Sequence, residues 1–210
     1  MTGVFAVTGC GGDGDGEENA VEIRGEEYAF VMPDRIEGFV SMEVSNAGSE
    51  LHEYALGRVK GNATTAQLKR AFSRRDEDAE ELVDDVGGVP LLSPGEEVTI
   101  TRRLPPGTYV LLWFIPAPDG KPHIAHGMIR TFEVVGESDA EAPEADATIA
   151  ATEEGFDVPG LEPGEPATFL GAMQTIPAGA SVYLTADFEG GTEYTIVDPE
   201  RGARVVFTPQ

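Results

Sequence analysis

The chain predicts an all-β sandwich with a short helical insertion, followed by a truncated second β-repeat. Two observations carry this: short apolar–polar alternations punctuated by Gly and Pro, and a later echo of the same pattern. Val21-Glu22-Ile23 alternates, as do Val40, Met42 and Val44. Val98-Thr99-Ile100-Thr101 repeats the period of two before Leu104, and Pro105-Pro106-Gly107 makes the turn that follows. Residues 108–115 are apolar on both faces and read as a central strand, and residues 131–135 close the set. Regular spacing of short strands between turn signals is the mark of a β-sandwich. One stretch differs. From residue 64 to about 85, Leu68, Phe72, Ala79, Leu82 and Val83 fall at near-helical spacing, and Thr64 followed by Gln67 makes a capping box. The acidic residues 76–85 are expected on a solvated helix face.

The echo has two parts. Ile23, Phe30 and Pro33 recur as Ile149, Phe156 and Pro159, each 126 residues further on. Gly95, Val98, Thr101, Gly107 and Thr108 recur as Gly179, Val182, Thr185, Gly191 and Thr192, each 84 further on. The missing 42 residues fall between the counterparts of Pro33 and Gly95, the stretch that holds His52 and the helix in the first copy. The expected organisation is a tether over residues 1–19, a first domain over 20–135, an acidic linker over 136–146 and an abbreviated repeat over 147–210. A unit of that size has little interior of its own and should lean on the first.

Thirty-eight acidic residues face 14 basic ones, 11 Arg and 3 Lys, for a formal charge of −24. Such a surface repels nucleic acid and anionic lipid headgroups. It suits a salt-rich, halophilic setting, where self-repulsion is screened, or an acidic secreted protein from a GC-rich genome. No run approaches the roughly 20 apolar residues that span a bilayer. Val7-Thr8-Gly9-Cys10 resembles a prokaryotic lipobox, in which the cysteine is lipidated. Residues 11–19 have the Gly/Asp/Glu composition of a flexible tether. The segment before the box is short and lacks a basic n-region and a full apolar core, so either the signal sequence is truncated or Cys10 is an ordinary residue. The first alternative implies an extracytoplasmic protein whose contact with the membrane is a lipid anchor.

All three histidines lie in two short segments, Leu51-His52-Glu53-Tyr54 and His123-Ile124-Ala125-His126-Gly127-Met128. Imidazole nitrogen and thioether sulfur are neutral ligands that suit copper. Catalytic signatures are absent: no His-Glu-x-x-His, no Gly-x-Ser-x-Gly, no glycine-rich phosphate loop and no thiol beyond Cys10. A non-enzymatic role is expected.

Asn46-Ala47-Gly48, His52-Glu53, Gly107-Thr108-Tyr109 and His123 with Gly127-Met128, in that order, resemble the cupredoxins, the plastocyanin and azurin class of blue copper proteins. The resemblance covers residues 21–135. It implies a Greek-key β-sandwich, with copper held by His52, His123 and an axial Met128. His126 is a further candidate nitrogen that the family does not use, and Glu53 a candidate to orient His52. The departure is the cysteine: four residues after Tyr109 stands Trp113, whose bulk fills the space near the vacated ligand position. The following loop is lengthened by residues 117–122. Without a thiolate, blue-copper electron transfer is not expected. Two readings follow: a copper-binding protein for storage, delivery or sequestration, or a metal-free module docking other envelope proteins. If the lipobox is real, fatty-acid label incorporated by the natural chain in cells should be lost from a Cys10→Ser variant. Label that persists in that variant excludes the anchor.

Overall fold

A computed structural model describes residues 3–8, 20–74, 76, 79–136, 147–152, 155–157, 181–185, 191–198 and 203–208. Cys10 and the expected tether lie outside the described residues, as does the expected linker apart from Gly136.

The first unit holds β2 (Ala20–Glu26), β3 (Ala29–Val31), β4 (Arg35–Glu37), β5 (Phe39–Asn46), β6 (His52–Val59), β7 (Val83–Leu92), β8 (Glu97–Arg103), β9 (Gly107–Leu112) and β10 (Ile129–Val135). They form two facing layers. One has the order β3-β2-β5-β8, and the other β4-β10-β9-β6-β7. The chain crosses between the layers after β3, β4, β5, β7 and β8, so the hairpin β9–β10 lies beside β6 rather than beside β8. This is the all-β sandwich that the strand spacing predicts, with the crossed-over connections of a Greek key.

Alternation explains the burial. On β5, Val40, Met42 and Val44 point inward while Glu43 is exposed, and on β8 Val98 and Ile100 do the same. They meet Leu56, Val89, Leu111, Phe132 and Val134 from the opposite layer. β9 is buried along Val110, Leu111 and Leu112 because α1 (Thr65–Arg74) covers its outer face. Leu68 and Phe72 of α1 pack there with Val110, Leu112 and Ile124. The capping box forms as expected: the Thr64 amide donates to Gln67 Oε1 at 2.8 Å, and the Gln67 amide lies 3.3 Å from Thr64 Oγ1.

Two element boundaries differ from the sequence reading. Helical structure does not continue to residue 85. A short 3-10 turn, Ala79–Leu82, leads directly into β7, where Val83, Asp84 and Asp85 pair with Val59, Arg58 and Gly57. A strand edge offered by β6 and the Lys60–Asp84 ion pair at 2.8 Å outweigh the local helical period. The central strand also stops at Leu112 rather than at 115. Trp113 and Ile115 turn their carbonyls to the amides of Ile124 and His123, so this stretch becomes the wall of a loop.

The C-terminal strands are β11 (Ala147–Thr152), β12 (Gly155–Asp157), β13 (Ser181–Thr185), β14 (Tyr194–Asp198) and β15 (Ala203–Phe207). A shift of 126 residues carries the β2–β3 hairpin onto the β11–β12 hairpin, and a shift of 84 carries the start of β8 onto β13. β13 pairs antiparallel with β8, so the first layer extends to β12-β11-β1-β13-β8-β5-β2-β3. The two halves of this sheet match in strand order but not in direction, since β1 pairs parallel with β13 and antiparallel with β11 where β5 pairs antiparallel with β8 and parallel with β2. The place that β5 takes in the first half is filled in the second by β1 (Gly3–Thr8), the strand just before the lipobox-like cysteine. No helix among the described residues is long and apolar enough to cross a membrane.

Because Leu68 is fully enclosed between α1 and β9, Leu68→Ala should cost about 2–5 kcal/mol, whereas exposed Arg70→Ala should stay within about 0.5 kcal/mol. Urea denaturation of the two variants measures the difference.

Candidate metal centre

At one end of the sandwich three segments converge: the β2–β3 turn, the loop between β5 and β6, and the loop between β9 and β10. The second is fixed by Asn46, itself 1% exposed. Its Nδ2 donates to the carbonyls of Glu50 at 2.7 Å and Leu92 at 2.8 Å, and its Oδ1 accepts from the Gly48 amide at 2.9 Å. The main-chain amide of Ala47 reaches the Gly25 carbonyl at 2.8 Å, joining this loop to the first.

His52, the first residue of β6, is fully buried between those segments. Two glycines make the space. A Cβ on Gly25 would lie 2.9 Å from His52 Nδ1 and 2.2 Å from the Tyr54 hydroxyl, and one on Gly48 would lie 2.6 Å from His52 Cε1. Neither ring nitrogen meets a partner at hydrogen-bonding geometry. Burial first, and then the neighbouring His123, hold the imidazole pKa below its usual 6.5, against the weaker pull of Glu27 and Glu50.

His123 opens α2 (His123–His126), a single helical turn that follows the extended Pro122. The lengthened loop before it is tightly closed: Ala117 and Lys121 share a main-chain bond at 2.8 Å, and Pro116 bridges to Pro122. Both the amide and the ring Nδ1 of His123 reach the Ile115 carbonyl, at 3.1 and 2.8 Å. A carbonyl only accepts, so Nδ1 carries a proton, and in the neutral ring the Nε2 lone pair faces the interior. Nε2 lies 3.2 Å from Glu50 Oε2, within ion-pair distance, yet out of line for a hydrogen bond. Two lone-pair acceptors so close repel each other unless a cation, either a proton or a metal ion, sits with them.

The structure brings His52 and His123 together, with ring centres 5.6 Å apart and planes at 81°. Trp113 stands edge-to-face with both, 6.1 Å from His52 and 5.5 Å from His123, fully buried and with its indole N–H unpaired. Met128 is likewise fully enclosed, in the same cluster as Trp113, Tyr54 and Phe30.

One expected member, His126, is placed elsewhere. His126 turns away from the pair: its Nε2 sits 3.0 Å from Asp119 Oδ1 and its ring packs on Tyr28 at 4.6 Å. Residues three apart share a helical face, but the folded 117–122 loop supplies Asp119 as a nearer partner. Glu53 falls between the buried His52 and Tyr54 at an irregularity in the β6–β7 register. The carboxylates of Glu27 and Glu50 act on His52 through their charge.

Those two, with Tyr28 and Asp119, escaped the sequence reading because turn residues have no periodicity to mark them. Their own hydrogen bonds hold them. Glu27 accepts from the Ser49 hydroxyl and, at 2.8 Å, from the Ser49 amide, which lowers its pKa. The Tyr28 hydroxyl reaches Glu50 Oε1 at 3.4 Å. The Lys121 amide and then His126 hold Asp119 well below the usual carboxylate range.

The donor set passes a test of fit with a metal ion in part. Both ring nitrogens of His52 and Nε2 of His123 lack partners at hydrogen-bonding geometry, and one lone pair on each neutral ring is free to bind an ion. Metal–nitrogen bonds of about 2.0–2.1 Å place two imidazole centres on one ion about 5–6 Å apart, the separation seen here. Among the described residues, however, no group of three or more His, Cys, Asp or Glu side chains is disposed to hold a metal. Any ion would rely on the His52–His123 pair completed by softer neighbours.

The fold resembles that of the cupredoxins, with Trp113 standing where the resemblance places a cysteine. No family model and no curated protein matches the chain in sequence. Among solved structures it is similar to the dithionite-reduced auracyanin of Roseiflexus castenholzii, with 23% identity over 58% of this chain and 100% of that one, and a TM-score of 0.40. It is also similar to auracyanin A, a blue copper protein of Chloroflexus aurantiacus, with 23% identity over 55% and 96% of the two chains and a TM-score of 0.35.

The depressed pKa of His52 has a consequence for stability. As pH falls through 6.5 the unfolded chain takes up a proton that folded His52 resists, so stability present above that pH is lost as it falls toward the folded pKa. Equilibrium unfolding should therefore show stability declining as pH falls below 6.5. In His52→Gln that part of the decline should be absent.

Proposed function

We propose that this chain is a copper-binding protein of cupredoxin type that works without a thiolate. In this reading His52 and His123 hold the ion, and Met128 adds a thioether. The task is storage, delivery or sequestration, not catalysis and not blue-copper electron transfer. The observation that carries the reading is the buried imidazole pair at 5.6 Å with its unpaired nitrogens. Burying polar groups without partners is costly, and an ion would remove that cost. Copper, when bound, supplies a Lewis-acidic centre for imidazole and thioether donors. The chain's own part is to fix the His123 tautomer through Ile115, to lock His52 between Gly25 and Gly48, and to keep water away. A Cys10 lipid anchor would place the domain at an extracytoplasmic membrane surface, and processing at that cysteine would remove β1 from between β11 and β13.

A second reading has an observation in its favour. Trp113 packs against both imidazoles and His126 is tied to Asp119, an arrangement equally suited to a metal-free sandwich that docks an envelope protein. Thermal unfolding separates the two, since an ion that binds only the folded state raises the melting temperature. Copper in either oxidation state should raise it and a chelator should reverse the rise, while a His52→Ala/His123→Ala variant should not respond. Equal response of the natural and double-variant proteins would leave the docking module as the better account.

A further inference from the structure

Resting on the copper reading above, we propose that Trp113 selects the ion: its ring seals the His52–His123 pair from water and turns the site toward a soft monovalent cation, Cu(I) or its redox-inert analogue Ag(I), over Zn(II) or Cu(II).

Three features of the structure support this. The indole is enclosed to 0% exposure and stands edge-to-face with both imidazoles, at 72° and 79°, so three rings surround one buried point. The groups around that point are two imidazoles, an indole and the buried Met128, none of them anionic. The carboxylate in reach, Glu50, sits at the rim with its side chain 22% exposed. The cost of taking an ion out of water rises with the square of its charge. The one carboxylate within 3.2 Å of His123 balances a monovalent ion but leaves a divalent one with net charge, so this enclosed cluster admits the monovalent ion more readily. Aromatic rings also attract cations through their π-electrons, Trp most strongly, and a thioether is a soft donor. A ring in place of a thiolate also leaves out the fixed negative charge that would offset a divalent ion.

Trp113 is the single tryptophan of the chain, so tryptophan emission reports on this position alone. The experiment uses the full-length chain with Cys10→Ser, because a free thiol competes for the same ions. Ag(I), and Cu(I) without oxygen, are titrated while emission is followed, with Zn(II) as competitor and calorimetry counting bound ions. We expect Ag(I) and Cu(I) to change the emission to a one-to-one end point that equimolar Zn(II) does not reverse. Trp113→Leu should weaken Ag(I) binding about tenfold without weakening Zn(II), and Trp113→Phe should fall between. One-to-one Ag(I) binding with unchanged emission, or Zn(II) displacing Ag(I), overturns the assignment and leaves the copper reading intact. If calorimetry finds no ion bound, the copper reading falls and the selector role falls with it. The natural-chain titration decides the matter even if the leucine variant fails to fold.

Discussion

The His end of the sandwich depends on the side chain of Asn46. One amide group ties down the Glu50 and Leu92 carbonyls and the Gly48 amide, and so sets the path of the loop between β5 and β6. Gly48 is thereby pressed against one edge of His52, and Glu50 is delivered to within 3.2 Å of His123. Leu92 belongs to β7, the strand paired with β6, and His52 is its direct partner. The same residue thus links loop, sheet and candidate ligand. Replacing it with an apolar residue would leave two buried carbonyls unmatched, which costs more than a lost bond exposed to water.

Charge is distributed in a way that its total conceals. The chain is strongly acidic, yet the buried pair packs against the uncharged Trp113, and the nearby carboxylates have their own donors: Ser49 for Glu27, Tyr28 for Glu50, and Lys121 with His126 for Asp119. The site therefore combines a negative approach, which draws cations, with an interior that one carboxylate, Glu50, reaches from the rim. These properties come from different residues. Surface charge could change with solvent salinity and leave the interior alone.

Much of the fold was legible because it rests on period. The inward Val40, Met42 and Val44 on β5 and the Thr64–Gln67 box on α1 need nothing beyond local sequence. The misjudged boundaries share one cause. Residues 83–85 and 113–115 take their hydrogen bonds from strands or loops distant in sequence, and no window along the chain registers those partners. The site divides the same way. His52, His123 and Met128 were visible by type and spacing. The fate of His126 depended on how residues 117–122 fold, which placed Asp119 beside it. Glu27 and Glu50 looked like two more acids among 38.

The pairing of β13 with β8 bears on how the molecule avoids its own kind. Without it, β8 would end its layer as a bare row of amides and carbonyls, a template for any strand in solution. Repulsion between acidic molecules discourages such contacts in dilute buffer, but it fades once ions shorten its reach to a few ångströms. Hydrogen bonds along a covered edge do not weaken in that way. The C-terminal strands therefore keep the β8 edge covered at any ionic strength.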